Sequence, residues 1–465
     1  MTLKDEKDKI AHPWLALLPL MLGAFVGMLS ETSLNIALPQ LMKAFEVSTG
    51  TMQWMVTGYM LVIGIVLPLS SLLTKWFSTK KLVIFGLSAF LVGAIISALA
   101  PVFSVLLIGR MIQGIGTGII LPLMFTVAMR IFPPYKLGTV MGACAMVIML
   151  APAIGPTLTG IILGALSWNW IFWCFVPVLV VALIFAITSI KSTNELTKPV
   201  VDVPSIIESV VGFAAIVSGV SLIADMGFSP LVIILLIVGI VVVGLYVRRQ
   251  ITLENPILNL KIFSVEAFRV GALIVMVDFG IILSAMYLLP QYIQSGRLLA
   301  VALTGIIMLP GGIINAITSA FAGRIYDSIG ARKPAMIGFV LAFIGVLMFI
   351  FVSTKTPVWY IILAHVILMI GCSLAMSPSQ TYALNAIQGR ASADGSTIMN
   401  TLQQIVGAIS TAIATILLSL GQNMAHAANS ADRFTKGTHF GFHFTLVLVI
   451  VGFLLSLAIK KDDNE

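Results

Sequence analysis

Three charged residues stand inside stretches that are otherwise apolar or small: Glu31 in GMLSETSLNIALPQL, Arg110 in LLIGRMIQGIGTG and Asp278 in VGALIVMVDFGIILSAM. A charge at the centre of an apolar helix costs about 2.5 to 3.5 kcal/mol on insertion scales, so such residues face a cavity or a partner. The chemistry open to the two acids is reversible proton binding, or the holding of a cation in a proton's place. Along the first stretch Gly23, Gly27, Glu31 and Asn35 recur every four residues, a small and polar stripe that must face protein or water rather than lipid. Structural alternatives stand beside each reading. Glu31 can neutralise a buried base, and Arg110, the one base well inside an apolar stretch, can fix its helix through a salt bridge or a cluster of carbonyls. His365 can relay protons, although a hydrogen-bonded structural histidine is the simpler expectation. Asn315, Gln380, Asn400, Gln403 and Gln404 fit either a cavity wall or bonds between helices. The 23 Met and 26 Phe can line an adaptable pocket or simply pack.

The elements that carry these residues are membrane spans. Of 465 residues 59% are hydrophobic and 9% charged, with a mean hydropathy of +1.10, against about 25% charged in an ordinary soluble domain. A span needs about 20 apolar residues. The chain divides at polar, Pro and Gly punctuation into fourteen runs: 14–39, 52–74, 82–100, 103–129, 137–164, 168–190, 206–224, 229–247, 270–292, 298–323, 334–353, 357–383, 395–420 and 440–459. Their continuous apolarity predicts helices rather than the alternating strands of a barrel. The first run is expected to be an uncleaved helix. No stretch is left for a soluble catalytic domain, and H-E-x-x-H, G-x-S-x-G and P-loop patterns are absent, so an enzyme is not expected. Cys144, Cys174 and Cys372 have no C-x-x-C spacing, which argues for packing rather than disulfides or metal.

Counting Lys and Arg in alternate loops predicts the orientation. With both termini cytoplasmic, twenty of the 26 fall on the inner side, five on the outer, and Arg110 within a helix. The net charge of +8 is thereby topological, and nucleic acid is not an expected partner.

Two segments recur at one offset. ALPQL, with Pro39 and Gln40, is matched by LLPQY, with Pro290 and Gln291; SLLTKWFSTKK from Ser71 is matched by GRIYDSIGARK from Gly323; and Gly155 falls on Gly407. Eight spans separate the equivalent helices, so the halves have parallel topology, as in transporters with two six-helix bundles around a central pathway. The expected division is 1–190 and 269–465 for the bundles, with 191–268 holding an inserted helix pair and its cytoplasmic flanks. In this register Glu31 and Asp278 lie about one turn apart on equivalent helices that would line a shared cavity.

These motifs resemble the major facilitator superfamily, and within it the fourteen-helix drug:proton antiporters. LLIGRMIQGIGTG resembles the helix 4 motif, with Arg110, Gln113, Gly114 and Gly118 in place. APAIGPTLTG, with Gly155, Pro156 and Gly160, resembles the helix 5 antiporter motif, followed by WNWIFW, where Asn169 departs from the usual arginine. The opening stretch resembles the branch's helix 1 motif with Glu31 where aspartate is usual, and ENPILNLKIF resembles the segment after the extra pair. GRIYDSIGARK, with Gly323, Asp327, Gly330 and Arg332, matches the family's loop motif, while its first copy has lost both glycines and the acid. The resemblance implies a proton-coupled exporter of amphipathic, cationic compounds in a bacterial plasma membrane, working as a monomer by alternating access, with no cofactor beyond the proton gradient. Together with the placement of charge and the small polar stripe, the expected coupling and cavity residues are Glu31, Asp278, Asn35 and Arg110, and the resemblance assigns Gln113, Gly114, Gly155 and Pro156 with the loop motif to conformational change. The alternatives are a carrier of the same fold for an endogenous metabolite and, in another class, a membrane sensor without turnover.

Overall fold

The computed structural model describes residues 13–132, 137–190, 202–253, 256–387, 390–425 and 429–460. Among them are fourteen helices and no strand. They are α1 (Pro13–Phe45), α2 (Thr49–Trp76), α3 (Thr79–Ala98), α4 (Phe103–Ile131), α5 (Leu137–Ala165), α6 (Asn169–Ser189, interrupted at Cys174) and α7 (Val203–Met226). The remainder are α8 (Pro230–Thr252), α9 (Glu266–Gln291), α10 (Val301–Ile329), α11 (Arg332–Ile350), α12 (Val358–Asn385), α13 (Arg390–Met424) and α14 (Ser430–Leu457). Thirteen are long and apolar enough to cross a membrane, and α5 adds the apolar stretch Leu150–Ala165. This is an all-α, multi-pass membrane protein.

Several helices outrun the apolar runs because their punctuation does not stop them. Pro39 lies inside α1, which continues to Phe45, and α9 passes Pro290 before a π-turn at Tyr292–Gly296. Proline forfeits one backbone hydrogen bond, and a neighbour-packed membrane helix tolerates that loss. The GRIYDSIGARK segment is likewise helical for most of its length. Only Gly330, in the left-handed region at φ 71, and Ala331 separate α10 from α11, which starts at Arg332. Glycine meets no Cβ penalty there, so it ends the helix.

In the first six helices α1 packs on α4, α5 and α6, while α3 packs on α4 and α6. In the last six α9 packs on α12, α13 and α14, and α11 on α12 and α14. Glycines let α4 approach two neighbours at once. A Cβ at Gly114 or Gly118 would meet Val62 or Val66 of α2, while one at Gly109 or Gly116 would lie 2.4 to 2.5 Å from Ser97 or Gly86 of α3. The seam between the two sets is formed by α2 against α13 and by α5 against α10.

The pair α7 and α8 pack on each other, and α7 lies against both α2 and α13, so it straddles the seam. The pair is tied at its terminus-bearing end. Arg249 donates to both carboxylate oxygens of Asp202, at 2.6 and 2.7 Å. Gln250 donates to Ser205 and accepts from the backbone N–H groups of Ile257 and Leu258, fastening the link that leads into α9.

Candidate transport site

The seam is sealed at one end and hollow in its middle. Odd-numbered helices run away from the end that carries the chain termini, so the last turns of α1, α5 and α9 meet the start of α10 at the far end. There Gln294 donates to the Ile36 carbonyl at 2.9 Å, and Thr157 donates to the Gly305 carbonyl at 2.9 Å. The α5–α10 contact is backbone to backbone, since a Cβ on Gly305 would lie 2.5 Å from the Pro156 oxygen and 2.6 Å from the Thr157 Cα. Below this seal two adjoining cavities, of ≈ 150 and ≈ 260 Å³, share Met28, Ile148, Phe279 and Met376 as walls. The first is lined further by Pro152, Pro156, Met286, Met308, Asn315, His365 and Met369. The second extends toward the terminus-bearing end, past Phe125, Gln380, Ser396, Asn400, Gln403 and Gln404. The upper cavity is thus thioether and aromatic, and the lower one carries a wall of side-chain amides.

Helix α5 supplies Ile148, Pro152 and Pro156 to the upper wall at four-residue spacing. The two prolines cannot donate to the carbonyls of Ile148 and Pro152. Gly155, one residue from that stripe, faces the other way: a Cβ there would lie 2.5 Å from Thr32 Oγ1, beside Glu31 on α1. Gly407 repeats the arrangement on α13, set against Leu283 and Phe279 of α9 and Met60 of α2.

Glu31 is 2% exposed. Gln404 of α13, an amide of the lower cavity wall, lies beside its carboxylate, and one carboxylate oxygen has no hydrogen-bond partner among the described residues. Asn35, one turn on, is also buried with its Oδ1 unpartnered. The stripe they share with Gly23 and Gly27 packs on Leu87 of α3 and on Ile120 and Thr117 of α4.

Arg110 is fully buried one layer behind Glu31. Its Nη1 donates to Ser30 Oγ at 2.6 Å and to Gln113 Oε1 at 2.8 Å, its Nε donates to the Met55 carbonyl at 3.3 Å, and the guanidinium lies 3.9 Å above the Tyr59 ring. Tyr59 in turn donates to the Gly27 carbonyl, and its hydroxyl is 2.7 Å from Thr117 Oγ1. Gln113 completes the set by donating to Ser97. The described residues show no ion pair between Arg110 and Glu31. Of the two structural alternatives for Arg110, the cluster of neutral acceptors describes its contacts.

Asp278 departs from the expected shared cavity. Phe279 and Ile282 of α9 reach the cavity, while Asp278 is fully buried beside Cys372 of α12, inside the second set of helices, with neither carboxylate oxygen hydrogen-bonded among the described residues. The repeat places the two acids on equivalent helices, but Asp278 is turned about 100° from Phe279 and is not among the residues that line the cavity. His365 lines the cavity, and the described residues show no hydrogen bond to it, unlike the bonded structural histidine expected. Gly330 and Arg332 sit at the α10–α11 link. Gly323 and Asp327 belong to the last turns of α10, and their side chains fall outside the described residues. Residues that escaped notice in the sequence are Ser30, Tyr59, Thr117 and Met28. Met28 and Thr117 follow from helical spacing, since Met28 stands three before Glu31 and Thr117 seven after Arg110, whereas Ser30 and Tyr59 carry no such signal.

Two helical sets, meeting at one end and enclosing a cavity lined from both, define a membrane carrier. The chain belongs to the Major Facilitator Superfamily, whose description matches residues 20–411. It is 43% identical over 456 residues to the lincomycin resistance protein LmrB of Bacillus subtilis, covering 96% of this chain and 95% of that one. It is 41% identical to the protein of the same name from Listeria monocytogenes, covering 95% of each chain. Among solved structures the fold is similar to a bacterial homolog of the human lysosomal transporter Spinster, inward-facing and unoccupied, with a TM-score of 0.70, 12% identity, and 97% and 98% of the two chains covered. It is also similar to the xylose transporter XylE of E. coli in a partially occluded inward-open conformation, with a TM-score of 0.65, 14% identity, and 98% and 99% covered. The protein is therefore a small-substrate transporter rather than an enzyme.

Proposed function

We propose that this transporter exports small amphipathic compounds, cationic ones among them, in exchange for protons. The observation that carries the reading is Glu31: a buried acid on the first helical set, with one carboxylate oxygen unpartnered among the described residues, set beside Gln404, a cavity-lining residue of the second set. Gain or loss of its proton changes the charge at the point where the two sets touch, which gives the two states of the carrier different energies. A cationic substrate can take the proton's place at the same net charge, so competition for one carboxylate would couple the two fluxes. The thioether and aromatic upper cavity suits apolar bodies of varied shape, and relatives named for lincomycin resistance support a drug as cargo. The loop-charge bias supports cytoplasmic termini, and in that orientation the sealed end faces outward, the lower cavity lies toward the cytoplasm, and its amide wall is the entrance.

The driving force suffices. A charge crossing 100 mV yields about 2.3 kcal/mol and one pH unit about 1.4, together enough to hold a neutral substrate at a gradient of roughly several hundred-fold. No cofactor is needed, and a single chain contains the whole cavity. The test is reconstitution into liposomes with an imposed pH gradient. Uphill movement that persists in the Glu31→Gln, Asp278→Asn double variant would sink the coupling assignment, and no movement of any amphiphile would sink the exporter reading.

A further inference from the structure

Among the described residues His365 is the one imidazole on the cavity wall, and its surroundings fix which way it can bond. It is 4% exposed, and the described residues offer no hydrogen bond to either ring nitrogen. The Nδ1 edge is shut against α10: a Cβ built on Gly311 would lie 2.2 Å from Nδ1 and 2.5 Å from Cε1. Packing this close leaves no place for an acceptor at Nδ1. A neutral imidazole carries one proton and one lone pair. A proton on Nδ1 would be an orphaned buried donor, a rarer arrangement than an under-satisfied acceptor. The geometry therefore puts the lone pair against Gly311 and the proton on Nε2, the edge that the ring presents to the cavity. The nearby polar group of the upper cavity, Asn315, turns its amide nitrogen to the Met369 sulfur at 3.6 Å, so His365 faces open space among thioethers with a donor to spare.

We propose that His365 donates from Nε2 to an oxygen acceptor on the bound compound, and that Gly311 is the seat that holds the ring in that orientation. This rests on the export reading for the identity of its ligands. It adds a selection rule: compounds carrying an amide, hydroxyl or ether oxygen within reach gain a hydrogen bond in the upper cavity, whereas purely apolar cations bind without it. Gly311 has a positioning role, since any side chain there pushes the ring out of place.

The test is direct binding to purified protein in nanodiscs, with lincomycin as the oxygen-rich probe and tetraphenylphosphonium as a cation without acceptors. His365→Leu is expected to weaken lincomycin about ten-fold and to leave tetraphenylphosphonium within about two-fold. His365→Gln, whose amide keeps a donor, recovers most of the loss, and Gly311→Ala reproduces the leucine variant's preference. Equal losses for both probes would mean a packing role and overturn the proposal, as would no loss for either or failure of the unaltered protein to bind lincomycin. If both probes bind as expected but a pH gradient drives neither, the export reading fails while this assignment stands.

Discussion

Gln404 on α13 lies beside Glu31 on α1, bringing a cavity-lining amide of one helical set to a buried carboxylate of the other. If that contact reports the proton state across the seam, Glu31→Gln should bind substrate and carry it downhill, yet fail to concentrate it against a gradient when pH is the sole driving force. Gln404→Leu keeps the acid but removes the amide, and should lower pH-driven uptake into inverted vesicles by about ten-fold, as the loss of one hydrogen bond to a charged group during the cycle would. Full coupling in Gln404→Leu would detach the seam contact from the mechanism.

Arg110 divides its donors among Ser30, Gln113 and the Met55 carbonyl while stacking on Tyr59. A lysine offers a point charge without the planar fork, so Arg110→Lys should cost about 2 to 3 kcal/mol in denaturation from detergent, against about 1 kcal/mol for Tyr59→Phe. The reverse ranking would show that the ring, not the guanidinium, organises the cluster.

Gly155 and Gly407 occupy equivalent positions but face different neighbours. Alanine at 155 meets a short β-branched side chain and the Leu29 carbonyl at 3.2 Å, while alanine at 407 meets the movable ends of Met60 and Leu283. Gly155→Ala should abolish transport in protein that still inserts, and Gly407→Ala should retain at least half, both read as initial rates per unit of purified carrier. Equal rates would mean that neither glycine's close approach matters.

Gly305 forms the outer seal with Pro156 and Thr157. Gly305→Val cannot close that contact, so the seam should open at the far end. Cysteines placed at 157 and 294 should then react with a membrane-impermeant maleimide at least about ten-fold faster than in the parent, as a large shift in the two-state population requires. Unchanged labelling would remove the α5–α10 contact from the gate.

Arg249 holds the Asp202 carboxyl well below the usual carboxylate range, chiefly through their paired hydrogen bonds. A depressed carboxyl contributes its full stabilisation above its unfolded value near 4 and loses it as pH falls through the lower folded value. The stability difference between the parent and Asp202→Asn should be constant from pH 8 to about 5 and shrink below about 4. The pair is partly exposed, so the difference should stay near or below about 1 kcal/mol. A difference that grows on acidification would contradict the assignment.

Apolarity and length made the fourteen helices legible, because a bilayer allows few other ways to satisfy the backbone. Charge inside apolar runs pointed to Glu31, Arg110 and Asp278, and the resemblance to family motifs pointed to Gly114 and Gly155. What spacing could not convey was rotation. Asp278 and Phe279 are neighbours in sequence, yet one faces Cys372 and the other the cavity. Proline misled for a related reason: Pro39 and Pro290 look like stops, but packed neighbours let both helices pass through them. That Gln404 stands beside Glu31 was likewise out of reach, since the two belong to different helical sets and come together only in the fold.

Helix α8 of the inserted pair is the least enclosed of the described spans, with 17% of an 18-residue stretch buried against 78% for α9. Since α7 touches both sides of the seam, any rocking of one helical set on the other must drag α7 and α8 sideways through lipid. The surrounding membrane then acts as a mechanical load on the transport cycle. Thickness and lateral pressure should set how fast the carrier turns, and the same chain should run at different speeds in bilayers of different chain length.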